Sequence, residues 1–228
     1  MTANDVRGVA MEIWNLGAFM DKKRSPDGKG FKLKLHEKDP DAPLSPFYLN
    51  LRTPDNPKAG PLTPAAVAMI GRKLFRMAQG QELTFDHVAG LPNAGDPIAE
   101  AFYHALLASG RTVGLLKLVK ATTADQRHIT SLASGAYERG DEVLVVDDLI
   151  TMADTKLEGI GVLENAGLIV RDVLVVLDRQ QGGGKQLLAL GYNLRALLTL
   201  EELLDIYVGQ NVMTNDERRD ILDYVRTA

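Results

Sequence analysis

The chain is predicted to be an α/β protein with a central, mostly parallel, twisted sheet flanked by helices. Two observations predict this. From about residue 85 to 198, strand-like and helix-like patterns alternate, as successive βαβ crossovers require. The run Val143-Leu144-Val145-Val146 is apolar without alternation, the pattern of a strand covered on both faces, and it leads straight into Asp147 and Asp148. Ligands of such sheets sit beyond the carboxyl ends of the strands, where this acidic pair stands.

The elements follow in order. A helix is expected over 4–19, then a polar connection through Pro26-Asp27-Gly28. Phe31 to Leu35 alternates like a half-buried strand, residues 36–46 form a loop with Pro40, Pro43 and Pro46, and Phe47 to Leu51 is a second short strand. Thr63 as N-cap and Pro64 at the first helical position open a helix whose stripe is Val67, Ile70, Leu74 and Met77, and Gly80 closes it. Then come a strand at 85–90, a helix at 96–108, strands at 112–119 and 142–148, a helix at 154–166, a strand at 172–177, a short helix at 185–190 and a strand at 193–198. Two C-terminal helices carry capping boxes, Thr199 with Glu202 and Thr214 with Glu217. The long polar gap between Val119 and Glu142 reads as a functional or mobile loop, or as a surface excursion holding a short strand.

Composition narrows the function classes. At 228 residues and 45% hydrophobic content the chain fits one domain with a real core. A net charge of -4 argues against a nucleic-acid or anionic-membrane surface. No run approaches the roughly 20 apolar residues of a membrane span, and the first residues do not read as a signal peptide. With no cysteine and only four scattered histidines, thiol catalysis is excluded and a dedicated zinc site is not expected. The expected setting is a soluble, cytoplasmic protein.

Three strand-to-helix turns carry chemistry. Asp147-Asp148, followed by Thr151-Met152-Ala153-Asp154-Thr155, pairs hydroxyl-binding carboxylates with a loop and helix N-terminus suited to a phosphate. The alternative is that the acids only cap a helix. Gly90-Leu91-Pro92-Asn93-Ala94-Gly95-Asp96 is a second small-residue turn that lets backbone approach an anion. Leu177-Asp178-Arg179-Gln180-Gln181-Gly182-Gly183-Gly184 brings an acid and a guanidinium to the same sheet edge. There Arg179 suits a planar, bidentate partner, or else Asp178 and Arg179 lock the loop to each other.

In order and spacing these segments, with Ser45-Pro46-Phe47-Tyr48-Leu49-Asn50-Leu51-Arg52, resemble the type I phosphoribosyltransferases from about Trp14 to Tyr207. The Leu177–Gly183 segment, followed by Gly191-Tyr192 and Thr199-Leu200-Glu201-Glu202, resembles the orotate-specific members. The resemblance implies a type I phosphoribosyltransferase fold, with residues 1–62 as a small hood on the base side, 63–208 as the core and 209–228 as a C-terminal helix. It implies a transferase of pyrimidine nucleotide synthesis. Phosphoribosyl pyrophosphate (PRPP) and an orotate-like base would be the substrates, magnesium the cofactor and a homodimer the assembly. By the same resemblance Asp147 and Asp148 hold ribose hydroxyls, with any contact to the metal running through water. Thr151, Met152, Ala153, Asp154 and Thr155 cradle the 5-phosphate, while Asn93, Ala94 and Gly95 meet pyrophosphate. Lys34, Phe47, Tyr48 and Arg179 bind the base, and Lys120, Arg127 and His128 are the catalytic cations of the mobile loop.

The sequence departs from the pattern at two places. The family's phosphate loop has glycine where Ala153 stands and a small or hydroxyl residue where Asp154 stands. A carboxylate about 4 Å from a phosphate charge costs roughly 4 kcal/mol at an effective dielectric of about 20, unless it points away or pairs, for example with Lys156. The family's loop has an Arg-Lys pair and a Lys-Asp-His cluster, and here Lys120 and Asp125-Gln126-Arg127-His128 occupy that region, as cations or as solvated loop residues. A second reading therefore stands beside the first: a relative that binds PRPP or a nucleotide without turnover.

Overall fold

The computed structural model describes residues 3–33, 36, 39–123 and 126–227. Six strands form the main sheet: β3 (His87–Gly90), β4 (Gly114–Thr123), β5 (Gln126–Ser134), β6 (Glu142–Ile150), β7 (Ile169–Asp178) and β8 (Asn193–Thr199). Their order is β5-β4-β3-β6-β7-β8, and all pairings are parallel except β4 with β5. The chain order reverses between β3 and β6, so a crevice opens at their carboxyl ends.

Helices cover both faces. Along β6 the side chains alternate: Leu144 and Val146 join one apolar cluster, Val143 and Val145 the other. The first cluster packs against α1 (Ala3–Asn15), α2 (Pro64–Gly80), α3 (Gly95–Ala108), α6 (Leu200–Gly209) and α7 (Asn215–Thr227); the second takes α4 (Asp154–Asn165) and α5 (Gly183–Ala189). Each fully buried Val or Leu contributes about 1.5–3 kcal/mol, which explains why β6 is apolar at every position from Val143 to Val146.

Local chemistry sets the helix ends. The Thr63 hydroxyl accepts the Ala66 N–H at 3.2 Å, and the stripe Val67, Ile70, Leu74, Met77 is buried as expected. Gly80 is the last helical residue, but the left-handed position after α2 is Glu82, at φ 53°. Both C-terminal capping boxes form: Thr199 with Glu202, and Thr214 with Glu217.

Three expectations are corrected. The first helix ends at Asn15, because Gly17 turns at φ 70°, and Phe19–Asp21 becomes β1, antiparallel to β2 (Phe47–Leu49). Phe31 forms only a single bridge with Ser45, Lys32 and Leu33 are not extended strand, and Lys34 and Leu35 lie outside the described residues. The stretch after Val119, expected either as a functional or mobile loop or as a surface excursion holding a short strand, follows the second reading but with far more strand, as an antiparallel hairpin: β4 runs on to Thr123, and Lys120 pairs with Ile129 and Ala121 with His128. Leu116, Leu118 and Ile129 tie it to the second apolar cluster, with Leu132 packed partly buried against them.

Candidate active site

The carboxyl ends of β3, β6 and β7 converge. The N–H of Leu91 donates to the Val146 carbonyl at 2.9 Å, and Arg179 N–H to the Ile150 carbonyl at 3.0 Å. Glycine is required where these turns meet. A Cβ on Gly95 would lie 2.6 Å from the Val146 carbonyl oxygen and 2.8 Å from Asp147 Oδ1. One on Gly183 would lie 2.6 Å from both the Thr151 carbonyl oxygen and Ile150 Cγ1. The sequence suggested a flexible turn at Gly182–Gly184; instead Gly183 is packed beneath the 151–155 loop and donates its N–H to Thr151 at 2.8 Å.

Asp147 and Asp148 are 5% and 6% exposed. The two oxygens of Asp147 are engaged: Oδ1 accepts the Asp148 N–H at 2.8 Å, and Oδ2 is 2.7 Å from the Lys156 ammonium. Lys156 therefore pairs with Asp147 and not with Asp154. Asp148 Oδ1 accepts the Leu149 N–H at 2.8 Å. Burial first, and the neighbouring Asp147 second, push the Asp148 carboxyl up to about 7, against the pull of Lys156.

The phosphate-loop departures look different in three dimensions. Ala153 sits at φ -88°, an ordinary right-handed value, so its position does not demand glycine. Its N–H donates to Gln186 Oε1 at 2.8 Å, which ties the loop to α5. Met152 is 46% exposed, and Asp154 is an exposed first-turn residue of α4, where a carboxylate suits the helix dipole. The N-terminus of α4 has no side-chain cap, so its first-turn N–H groups are left for an anion.

The N-terminus of α3, following Asn93 and Ala94, is likewise without a side-chain cap. Lys120 reaches this turn from β4 and donates to the Pro92 carbonyl at 2.9 Å, whereas Lys117 pairs with Glu100. Asp96 enters this group although the sequence pointed only to a helix start. Its Oδ1 is buried without a partner, and burial pushes its carboxyl up to about 6, opposed by Lys117 and Lys120. His128 stands apart: its Nδ1 is 3.0 Å from Glu158 Oε1 on α4. The side chain of Arg127 lies outside the described residues.

On the other side of the acid pair, the Arg179 guanidinium lies 4.8 Å over the Phe47 ring, which stacks at 5.8 Å on Phe19. Tyr48 points to the opposite side of β2 and stacks on Phe31. Arg179 Nε is buried without a partner, and burial lowers its pKa to about 10. The field of Tyr224 on α7 opposes that shift, and the Tyr224 hydroxyl also has no partner. Asp178 does not lock Arg179. It accepts the N–H of Gln180 at 2.8 Å, and Gln180, at φ 59°, accepts the Glu201 N–H at 2.9 Å. An aromatic in an amphipathic terminal helix gave no signal that it would reach the base side.

No family model matches the chain. Among curated proteins it is 33% identical over 127 residues to the orotate phosphoribosyltransferase of Thermoplasma volcanium, covering 49% of this chain and 76% of that protein. It is 28% identical over 182 residues to that of Caenorhabditis elegans, covering 80% of this chain and 74% of the relative. Among solved structures, Leishmania donovani UMP synthase superposes with a TM-score of 0.73 at 26% identity, over 97% of this chain but only 42% of that longer one. By the fold, the order of the turns and these identities, the chain belongs to the orotate phosphoribosyltransferase family of type I phosphoribosyltransferases.

Proposed function

We propose that this chain transfers the 5-phosphoribosyl group of PRPP to orotate or a related base and releases pyrophosphate. The observation that carries the reading is a row along one sheet edge: two helix N-termini without side-chain caps, an acid pair between them, and, over an aromatic ring, a buried guanidinium whose Nε has no hydrogen-bond partner among the described residues. Buried Arg without an acid is costly, and such perturbed groups cluster at functional sites. Here the cost would be offset by a planar anion bound against Arg179.

In the proposed step the bond from ribose C1 to the pyrophosphate oxygen breaks, and pyrophosphate leaves with both electrons. A ring nitrogen of the base forms the new bond from the opposite face and gives its proton to solvent. The transition state is cationic at the sugar, so the chain contributes by positioning and by stabilising the leaving group. Thr151 to Thr155 and the α4 terminus take the 5-phosphate. Asn93, Ala94, Gly95 and Lys120 take pyrophosphate, Asp148 faces the ribose hydroxyls with Asp147 behind it, and Arg179 with Phe47 takes the base. Tyr48 and Lys34, and the hairpin residues Arg127 and His128, keep roles only through the resemblance.

The second reading, binding without turnover, loses its phosphate-loop motive, because Ala153 has an ordinary φ and Asp154 is exposed, and keeps only the altered cations of the 120–128 segment. Magnesium finds no cage here: among the described residues no three His, Asp or Glu converge, and the Asp147 oxygens are engaged. The reading therefore gives any magnesium to the ligand's own phosphate oxygens and derives no step through it. A homodimer is supported by a groove of about 530 Å³ between α2 and α3, lined by Val67, Ala68, Ala101 and Ala105, an apolar surface that a second copy of the chain would cover. Sedimentation tests it. Among the described residues no helix is long and apolar enough to cross a membrane, and substrates bearing phosphates fit a cytoplasmic setting.

The test is pyrophosphate release with PRPP and a panel of bases. Orotate is expected to support turnover at least tenfold better than uracil or adenine. Release with none of the bases sinks the proposal.

A further inference from the structure

Lys156 is an unusual residue for its place. It lies in the first turn of α4 yet is 6% exposed, a depth lysine almost never reaches unpaired. Its ammonium is 2.7 Å from Asp147 Oδ2 and donates to the Leu149 carbonyl at 2.6 Å. The remaining oxygen of Asp147 takes the Asp148 N–H. One carboxylate of the acid pair is thus matched by a fixed cation from the chain itself. The other charged groups around the pair are Asp148 beside it, Asp96 from α3 and Lys120 from β4, while Asp154 is exposed.

We propose that Lys156 is the built-in counter-cation of the ribose-phosphate end of this site, so that this end takes its ligand without a divalent cation of its own. The inference rests on the phosphoribosyl reading above. A hard divalent cation seeks several oxygens at once, usually carboxylates together with substrate phosphates. At Asp147 the ammonium already holds the position such an ion would take. Lys156 is therefore a positioning residue: it keeps Asp147 turned inward and holds the 149–151 segment through the Leu149 carbonyl. A divalent cation then belongs to the diphosphate of the ligand, at the far end of the sugar.

Ribose 5-phosphate separates the two ends, because it has the sugar and phosphate but no diphosphate. By calorimetry the unaltered protein is expected to bind it equally, within about twofold, in EDTA and in magnesium. Manganese alone, followed by electron paramagnetic resonance, is expected not to bind. In Lys156→Met, ribose 5-phosphate affinity in EDTA should fall tenfold or more and recover with manganese, which now binds the freed Asp147. Manganese binding to the unaltered protein at micromolar strength, or a tenfold loss of its ribose 5-phosphate affinity in EDTA, would overturn the proposal; neither arm depends on the variant folding. A folded Lys156→Met with no change in metal dependence overturns it as well. If neither ribose 5-phosphate nor PRPP binds under any condition, the phosphoribosyl reading fails, and the manganese arm alone still decides the counter-cation.

Discussion

Replacing Arg179 with Met should separate a binding residue from a structural one. The guanidinium is buried over Phe47, and among the described residues its Nε has no hydrogen-bond partner and no carboxylate pairs with it. Burial lowers its pKa from the ordinary guanidinium value to about 10, which at 1.36 kcal/mol per pKa unit is about 3 kcal/mol against the charged folded state. Discounted for the part of the side chain that reaches solvent, the folding penalty is about 1–2 kcal/mol. Met fills similar volume without the charge, so thermal or urea denaturation should show the variant as stable as the parent or about 1 kcal/mol more stable. Catalysis should move the other way. Losing a desolvated, charge-assisted contact to the base costs about 2–4 kcal/mol, seen as a 30- to 1000-fold drop in kcat/KM for orotate with KM for PRPP nearly unchanged. The reasoning is refuted if Arg179→Met unfolds more easily by 2 kcal/mol or more while the orotate KM stays put.

The remaining predictions concern the other half of the site. Asp148 has its pKa raised from 3.8 to about 7, so the unfolded chain releases its proton first and stability declines as pH climbs from about 4 to 7, then levels. Asp148→Asn should lessen that decline, leaving the share of Asp96, and be about 2 kcal/mol more stable at pH 8, while losing activity; unchanged pH dependence of denaturation would count against it. Gly183→Ala puts a methyl 2.6 Å from the Thr151 carbonyl oxygen, so the loop must shift, with about 1–3 kcal/mol lost in denaturation and a PRPP KM raised tenfold or more. Asp154→Gly should change PRPP affinity by less than about threefold, because the carboxylate is exposed; a tenfold gain would place it against the phosphate.

What the sequence made legible is what local chemistry decides. Thr63-Pro64 and the stripe through Met77 define α2 because a cap and a 3.6-residue period are written in residue types. β6 was legible because only a doubly covered strand tolerates Val143 to Val146 in a row. The first helix was overextended because Ala18, Phe19 and Met20 continue an apolar pattern, and only the positive φ of Gly17 decides the break. The β4–β5 hairpin was legible only as a short strand within an excursion, because the residues from Lys120 to His128 are mostly polar and the apolar anchors Leu118 and Ile129 lie at either end of them. Within the site, the acid pair, both turns and Arg179 were found as motifs. Lys156 was not, since a lysine in a helix reads as solvated until a tertiary contact buries it. Ala153 was read too severely: a missing glycine matters only where φ is positive, and here it is -88°.

The central claim is group transfer at this sheet edge, and phosphorus NMR of the purified chain with PRPP, magnesium and orotate tests it directly. The account predicts that the PRPP signals give way to one pyrophosphate and one new phosphomonoester per orotate consumed, with no change when orotate is left out. Spectra that stay unaltered, or pyrophosphate and ribose 5-phosphate forming at the same rate without the base, would contradict it.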